Sequence, residues 1–128
     1  MAEKTILEKL MVKAGRRFLL VNPPPGYTAR MGSVPEGARL AAENDGPADI
    51  LQVFVESRAA LEAQLPRLKA LLAPGGALWV TYYKGGARVK TDINRDSINA
   101  YAATLGLQGV AMIAVDEDWS ALRLKRVD

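Results

Sequence analysis

Cysteine and histidine are both absent from this chain of 128 residues, and the two absences remove most familiar routes to nucleophilic and metal chemistry. Without cysteine there are no disulfides, thiolate nucleophiles or thiolate metal sites. Without histidine, Ser-His and Cys-His pairs and imidazole metal ligands are excluded. Any acid–base work falls to Asp, Glu, Lys or Tyr. Long hydrophobic runs are missing as well, and the longest fall far short of the roughly 20 residues a membrane span needs. Met1-Ala2-Glu3-Lys4-Thr5 carries no basic-then-apolar leader pattern. The expectation is a soluble, cytoplasmic protein with no membrane partner. Internal repeats and low-complexity segments are also lacking.

What is present suffices for one domain over residues 1–128. Apolar residues make up 49% and charged residues 24%, too apolar a mixture for a disordered chain. The net charge is only +3. Nucleic-acid binders gather their charge, so an excess of this size does not by itself point to one.

Hydrophobic periodicity divides the chain into elements. Ile6, Leu7, Leu10 and Met11 share one helical face, which predicts a helix from about Glu3 to Lys13. Arg16 to Val21 reads as a strand buried on both faces, stopped by Asn22-Pro23-Pro24-Pro25-Gly26. One helical turn is expected near Thr28 to Met31, and a short strand at Ala38 to Ala42. Ile50 to Val55 is a nearly unbroken apolar strand. Ser57 then suits an N-cap. Leu61, Leu65, Leu68 and Leu72 draw one apolar stripe, and Pro66 inside it is expected to kink or divide the helix. Ala73-Pro74-Gly75-Gly76 is expected to close that helix. Ala77 to Tyr82 reads as a strand. Asp92 or Asn94 would cap a helix whose core face is Ile98, Tyr101, Ala102 and Leu105, with Gly106 ending it. Val110 to Val115 and Trp119 to Leu124 form a closing hairpin around Asp116-Glu117-Asp118. Arg123, Lys125 and Arg126 read as edge-strand protection.

Strands alternating with helices point to an α/β fold with a mainly parallel sheet and a C-terminal antiparallel hairpin. A parallel crossover needs a dozen or more residues, and Asn44 to Pro47 cannot supply one. Residues 38–42 are therefore expected either to run non-parallel to their sequence neighbour or to lie outside the sheet.

The element order, with Leu72-Ala73-Pro74-Gly75-Gly76 before Ala77-Leu78-Trp79-Val80 and a terminal hairpin, resembles the class I S-adenosylmethionine-dependent methyltransferases. Lys90 to Asp96, Val115-Asp116 and Trp119 to Arg123 are similar to a group of short, uncharacterised bacterial proteins with a truncated form of that fold. The resemblance implies a three-layer Rossmann-like architecture. It breaks at the cofactor loop. Methyltransferases place an acidic residue and alternating glycines after their first strand, so that the backbone can approach the cofactor. Here three prolines remove three N–H donors and leave Gly26 as the one flexible residue. The expectation is no cofactor bound in the usual way, with S-adenosylmethionine as the alternative.

Ligands of open α/β sheets bind beyond the carboxyl ends of the strands. Asn22 to Tyr27, Glu56-Ser57 and Tyr82 to Lys84 should therefore meet at one edge, with the loop to Asp96 over them. The candidate ligand-binding residues are Asn22, Pro23, Gly26, Tyr27, Glu56, Ser57, Tyr83, Lys84, Lys90, Asp92, Asn94 and Arg95. Asn22-Pro23-Pro24 is similar to the Asn-Pro-Pro-aromatic motif of amino-group DNA methyltransferases, but it follows the first strand rather than the fourth and Tyr27 comes two residues late, so a rigid polyproline turn is the favoured reading. Lys84, Arg88, Lys90 and Arg95 beside a helix N-terminus suit an anion, or simply a solvated loop paired with Asp92 and Asp96. Tyr82 and Tyr83 suit either stacking on a base or capping the core. Trp79 and Trp119 read as core packing, and Asp116 to Asp118 as a turn rather than a metal site.

Three functional readings follow. The first is a non-catalytic methyltransferase-like module that binds a small molecule or protein through the carboxyl-end face. The second is a minimal methyltransferase using Asn22, Gly26 and Glu43. The third is a phosphate or nucleic-acid binder centred on Lys84 to Arg95. A homodimer is an open expectation.

Overall fold

The computed structural model describes residues 5–41, 46–84 and 91–127. Among these residues six strands form one sheet: β1 (Arg17–Val21), β2 (Arg39–Ala41), β3 (Ala48–Phe54), β4 (Leu72–Tyr83), β5 (Leu107–Ala114) and β6 (Trp119–Arg126). Their order is β2-β1-β3-β4-β6-β5. The first four are parallel to one another, and β6 runs antiparallel to both β4 and β5. Among the described residues they are accompanied by the helices α1 (Ile6–Lys9), α2 (Tyr27–Met31), α3 (Arg58–Lys69) and α4 (Arg95–Ala103).

The strand alternation builds two cores, one on each face of the sheet. Leu19, Val21, Leu51, Val53, Leu78 and Val80 pack with Leu61, Leu65 and Leu68 of α3 and Ile98 and Ala102 of α4. Phe18, Ile50, Phe54 and Trp79 pack on the other face with Leu7, Leu10, Tyr27 and Met31. The result is the three-layer α/β architecture expected.

Several expectations are corrected. Residues 39–41 are a sheet strand, parallel to β1. Since β3 pairs with the other side of β1, β2 and β3 are parallel without touching. A three-residue strand rises only about 10 Å, so the connection to β3 has little distance to retrace, and residues 42–45 within it lie outside the described residues. The first helix is a single turn with Thr5 as its cap. Met11 has left-handed φ (69°) and lies on no buried face.

Pro66 does not divide α3, which runs unbroken from Arg58 to Lys69. The carbonyl that Pro66 leaves without a helical donor, that of Glu62, lies 3.4 Å from the Tyr101 hydroxyl. Leu72 belongs to β4 rather than to the helix: it pairs with Ala48, and the register then jumps to Ile50↔Ala77. Ala73-Pro74-Gly75-Gly76 is thus a bulge within β4, not a helix-closing turn. Finally, β6 is an inner strand, so Arg123, Lys125 and Arg126 guard no edge. Arg126 instead donates to the Lys69 carbonyl at the end of α3, at 2.6 Å.

Candidate functional site at the carboxyl ends of β1 and β3

The chain leaves β1 toward β2 and then crosses to β3 on the opposite side. The sheet order therefore reverses between β1 and β3, the place where open α/β sheets form a crevice. After Val21 the backbone turns away through two left-handed residues, Asn22 (φ 56°) and Gly26 (φ 81°). Asparagine tolerates that conformation better than other side chains do, and glycine adopts it freely. The Tyr27 N–H donates to the Pro24 carbonyl at 3.1 Å and closes the turn.

A cavity of about 370 Å³ lies at this reversal point. Asn22 to Pro25 form one wall, Glu56, Ser57 and Ala60 another, and Phe54 and Trp119 the apolar remainder. Ser57 Oγ accepts the Ala60 N–H at 3.1 Å as cap of α3, and its own O–H remains a donor. Asp92 Oδ1 accepts the Arg58 N–H at 2.7 Å, which occupies a second free donor of the same helix end. Asn94, not Asp92, caps α4, accepting from Ser97 N–H at 2.9 Å. The Thr91 hydroxyl donates to the Glu56 carbonyl at 2.7 Å and ties the approach of α4 to the rim.

Tyr27 does not open into the cavity. It is fully buried, edge-on to Phe54 at 4.6 Å, and its hydroxyl donates to Gln52 Oε1 at 2.8 Å. Burial, opposed by that hydrogen bond, pushes its pKa up to about 12. Tyr83 stacks on Trp119 at 4.0 Å, so one ring face is taken by the protein. Trp119 in turn meets Phe54 edge-on at 4.9 Å, and the aromatic row supports the cleft from below.

Lys84, Asn94 and Arg95 line a separate cavity of about 350 Å³ with Tyr82, Asp96, Met112 and Ser120. The two cavities share no lining residue. Of the twelve sequence-derived candidates, Asn22, Pro23, Glu56 and Ser57 meet in the first cavity, and Lys84, Asn94 and Arg95 meet in the second. Gly26, Tyr27, Tyr83 and Asp92 line neither. Lys90, like Arg88 and Glu43, lies outside the described residues.

Asp116 belongs to no group of three or more acidic side chains placed to hold a metal ion among the described residues. Its Oδ1 accepts from the N–H groups of Asp118 and Trp119, and its Oδ2 pairs with Arg30 at 2.6 Å. Partial burial disfavours its ionised form, but these donors outweigh that and hold the carboxyl below its ordinary pKa. Arg30–Asp116 thereby ties α2 to the hairpin beneath Trp119. Sequence reasoning missed Phe54 and Trp119 as cleft walls; a strand-end aromatic on the face of Ile50 was the available signal.

Whether the residues present suit S-adenosylmethionine can be judged from the donor set. Phe54 and Trp119 offer apolar walls for an adenine, and Glu56 offers a carboxylate acceptor for a ribose diol. The methionyl carboxylate finds Asn22 and Ser57 but few backbone donors, because Pro23, Pro24 and Pro25 have no N–H. The adenosyl half fits; the amino-acid half is weakly served.

No protein-family model matches the sequence, and no curated protein matches it. Solved structures do share its fold. A ribosomal protein L11 methylase from Lactobacillus delbrueckii subsp. bulgaricus superimposes with a TM-score of 0.62 at 15% identity, over 96% of this chain and 75% of that one. A SAM-dependent methyltransferase from Aquifex aeolicus gives 0.58 at 13% identity, over 93% and 86%. An rRNA methylase from Streptococcus thermophilus gives 0.58 at 12% identity, over 100% and 99%. At such identities the likeness concerns architecture, and on that ground the chain has a class I methyltransferase-like fold in a short, 128-residue form.

Proposed function

We propose that this protein is a minimal methyltransferase-fold domain that takes an S-adenosylmethionine-class ligand in the cleft between the ends of β1 and β3. The observation that carries this reading is the position of the cleft at the strand-order reversal, in a fold shared with solved methyltransferases. Phe54 and Trp119 would lie beneath the adenine as an apolar floor, and Glu56 would accept from the ribose. Asn22 and Ser57 would meet the methionyl end. When bound, the cofactor supplies a methyl group made electrophilic by its sulfonium. The chain's residues orient that ligand and shield it from water. Replacing Glu56→Gln removes the charge while keeping the shape. S-adenosylhomocysteine affinity should then fall about tenfold, the size of a lost charge-assisted hydrogen bond. Unchanged affinity would remove Glu56 from the site.

The proline loop favours a second reading, that of a module binding through this face without transferring methyl groups. Labelled methyl transfer to any component of a cell extract would exclude it.

A further inference from the structure

A second feature lies at the opposite end of the sheet. A cavity of about 260 Å³ opens at the amino ends of β3 and β4, lined by Lys13, Arg16, Arg123 and Lys125 with a single carboxylate, Asp49. These cations come from segments far apart in sequence, namely the approach to β1 and the second half of β6. The chain has 17 basic and 14 acidic residues. Among the described residues the cavity thus holds four cations to one carboxylate, an excess of three that equals the net charge of the chain.

Among the described residues nothing else in the cavity balances it. Asp49 Oδ2 accepts the backbone N–H of Arg17 at 2.9 Å. Arg123 Nη1 lies 2.9 Å from the sulfur of Met11, which carries no charge. Lys13, Arg16 and Lys125 have no carboxylate partner among the described residues. Like charges held around a concave surface repel one another and focus a positive potential into it. The bulge in β4 adds Gly75 and Gly76 to the wall. A side chain at Gly75 would meet nothing within 4 Å, so the backbone there is open to a close approach.

We propose that this amino-end cavity is a binding site for a small diphosphate-bearing ligand, distinct from the carboxyl-end cleft. Guanidinium forks of Arg16 and Arg123 suit phosphate oxygens geometrically, and the two lysines add point charges. At about 30 Å³ per water, the cavity of about 260 Å³ holds roughly nine waters, comparable with the heavy atoms of a diphosphate. The cations ring one cavity rather than tracking along the surface, which favours a compact ligand over a nucleic-acid strand.

The test is a titration of the full chain with inorganic pyrophosphate at low salt, followed by backbone amide NMR. Saturable shifts should centre on Arg16, Gly75, Gly76 and Lys125, with a Kd below about 1 mM. The double variant Arg16→Glu, Lys125→Glu should weaken binding at least about tenfold, and the milder Arg16→Gln, Lys125→Gln variant should weaken it less. No saturable shift at these amides, or shifts unchanged in a variant with a native-like spectrum, would overturn the proposal. A single-stranded oligonucleotide that binds this face more tightly than pyrophosphate, with a steep salt dependence, would also overturn it in favour of a nucleic-acid surface. S-adenosyl compounds play no part, so this outcome is independent of the cleft's ligand.

Discussion

Gln52 sits in the middle of β3 with no exposure to solvent, between Tyr27 and Thr81. Its Oε1 accepts from the Tyr27 hydroxyl at 2.8 Å, and its Nε2 donates to Thr81 Oγ1 at 3.0 Å. A buried amide without partners would be costly, and this chain of two bonds is what makes a polar residue tolerable there. Tyr27→Phe keeps the ring against Phe54 but leaves Gln52 Oε1 unpaired. We expect a loss of about 1–3 kcal/mol in urea unfolding; no loss would mean that water or another donor replaces the hydroxyl. The same burial fixes a pH dependence. Tyr27 ionises near 12 when folded against 10.0 in its ordinary state, so its contribution is complete below pH 10. Stability should fall as pH rises from 10 toward 12, because only the unfolded chain readily loses the proton. The fall should be smaller in Tyr27→Phe. None of this network was legible in the sequence, where Gln52 interrupts an apolar run without any sign of which residues face it.

At the scale of elements, the N-terminus of α3 shows how the site is held. Two side chains from different segments serve it: Ser57 takes the Ala60 N–H, and Asp92 takes the Arg58 N–H. Asp92→Ala should cost about 1 kcal/mol, in the range of a lost helix cap, measurable as a shift in the urea midpoint. A null effect would mean that Asp92 contributes no capping energy. The apolar strands β1, β3 and β4 and the stripe of α3 were readable because local periodicity decides them. Leu72 misled the reading because a leucine four residues beyond Leu68 fits a helical stripe and a strand equally well. The extent of α1 was overstated because nothing local announces the left-handed Met11. The inner position of β6 was missed for a different reason. Strand order is settled by long-range pairing, here of β6 with both β4 and β5, and basic residues near the end of a chain do not reveal it.

The whole molecule presents two concave ends of opposite character. The carboxyl-end cleft combines aromatic walls with one carboxylate, Glu56, while the amino-end cavity sets four cations against Asp49. The general position of the carboxyl-end cleft was legible from topology alone, since Asn22, Glu56 and Ser57 follow their strands. The separation of Lys84, Asn94 and Arg95 into a second cavity was not, because its other walls, Tyr82, Met112 and Ser120, are brought there by long-range strand pairing. The proline loop also has a consequence for selectivity. With few N–H donors to meet an amino-acid carboxylate, the cleft should bind 5′-methylthioadenosine within about tenfold of S-adenosylhomocysteine. A much larger preference for the latter would place unrecognised donors at the methionyl end.

The most direct test of the central claim is calorimetric titration of the purified chain with S-adenosylmethionine and S-adenosylhomocysteine. The account predicts saturable binding of both, with a Kd of roughly 1–100 μM, weakened by Glu56→Gln. No heat of binding at millimolar ligand, from protein with a native thermal transition, would contradict it. The fold would then stand without the cofactor of its structural neighbours.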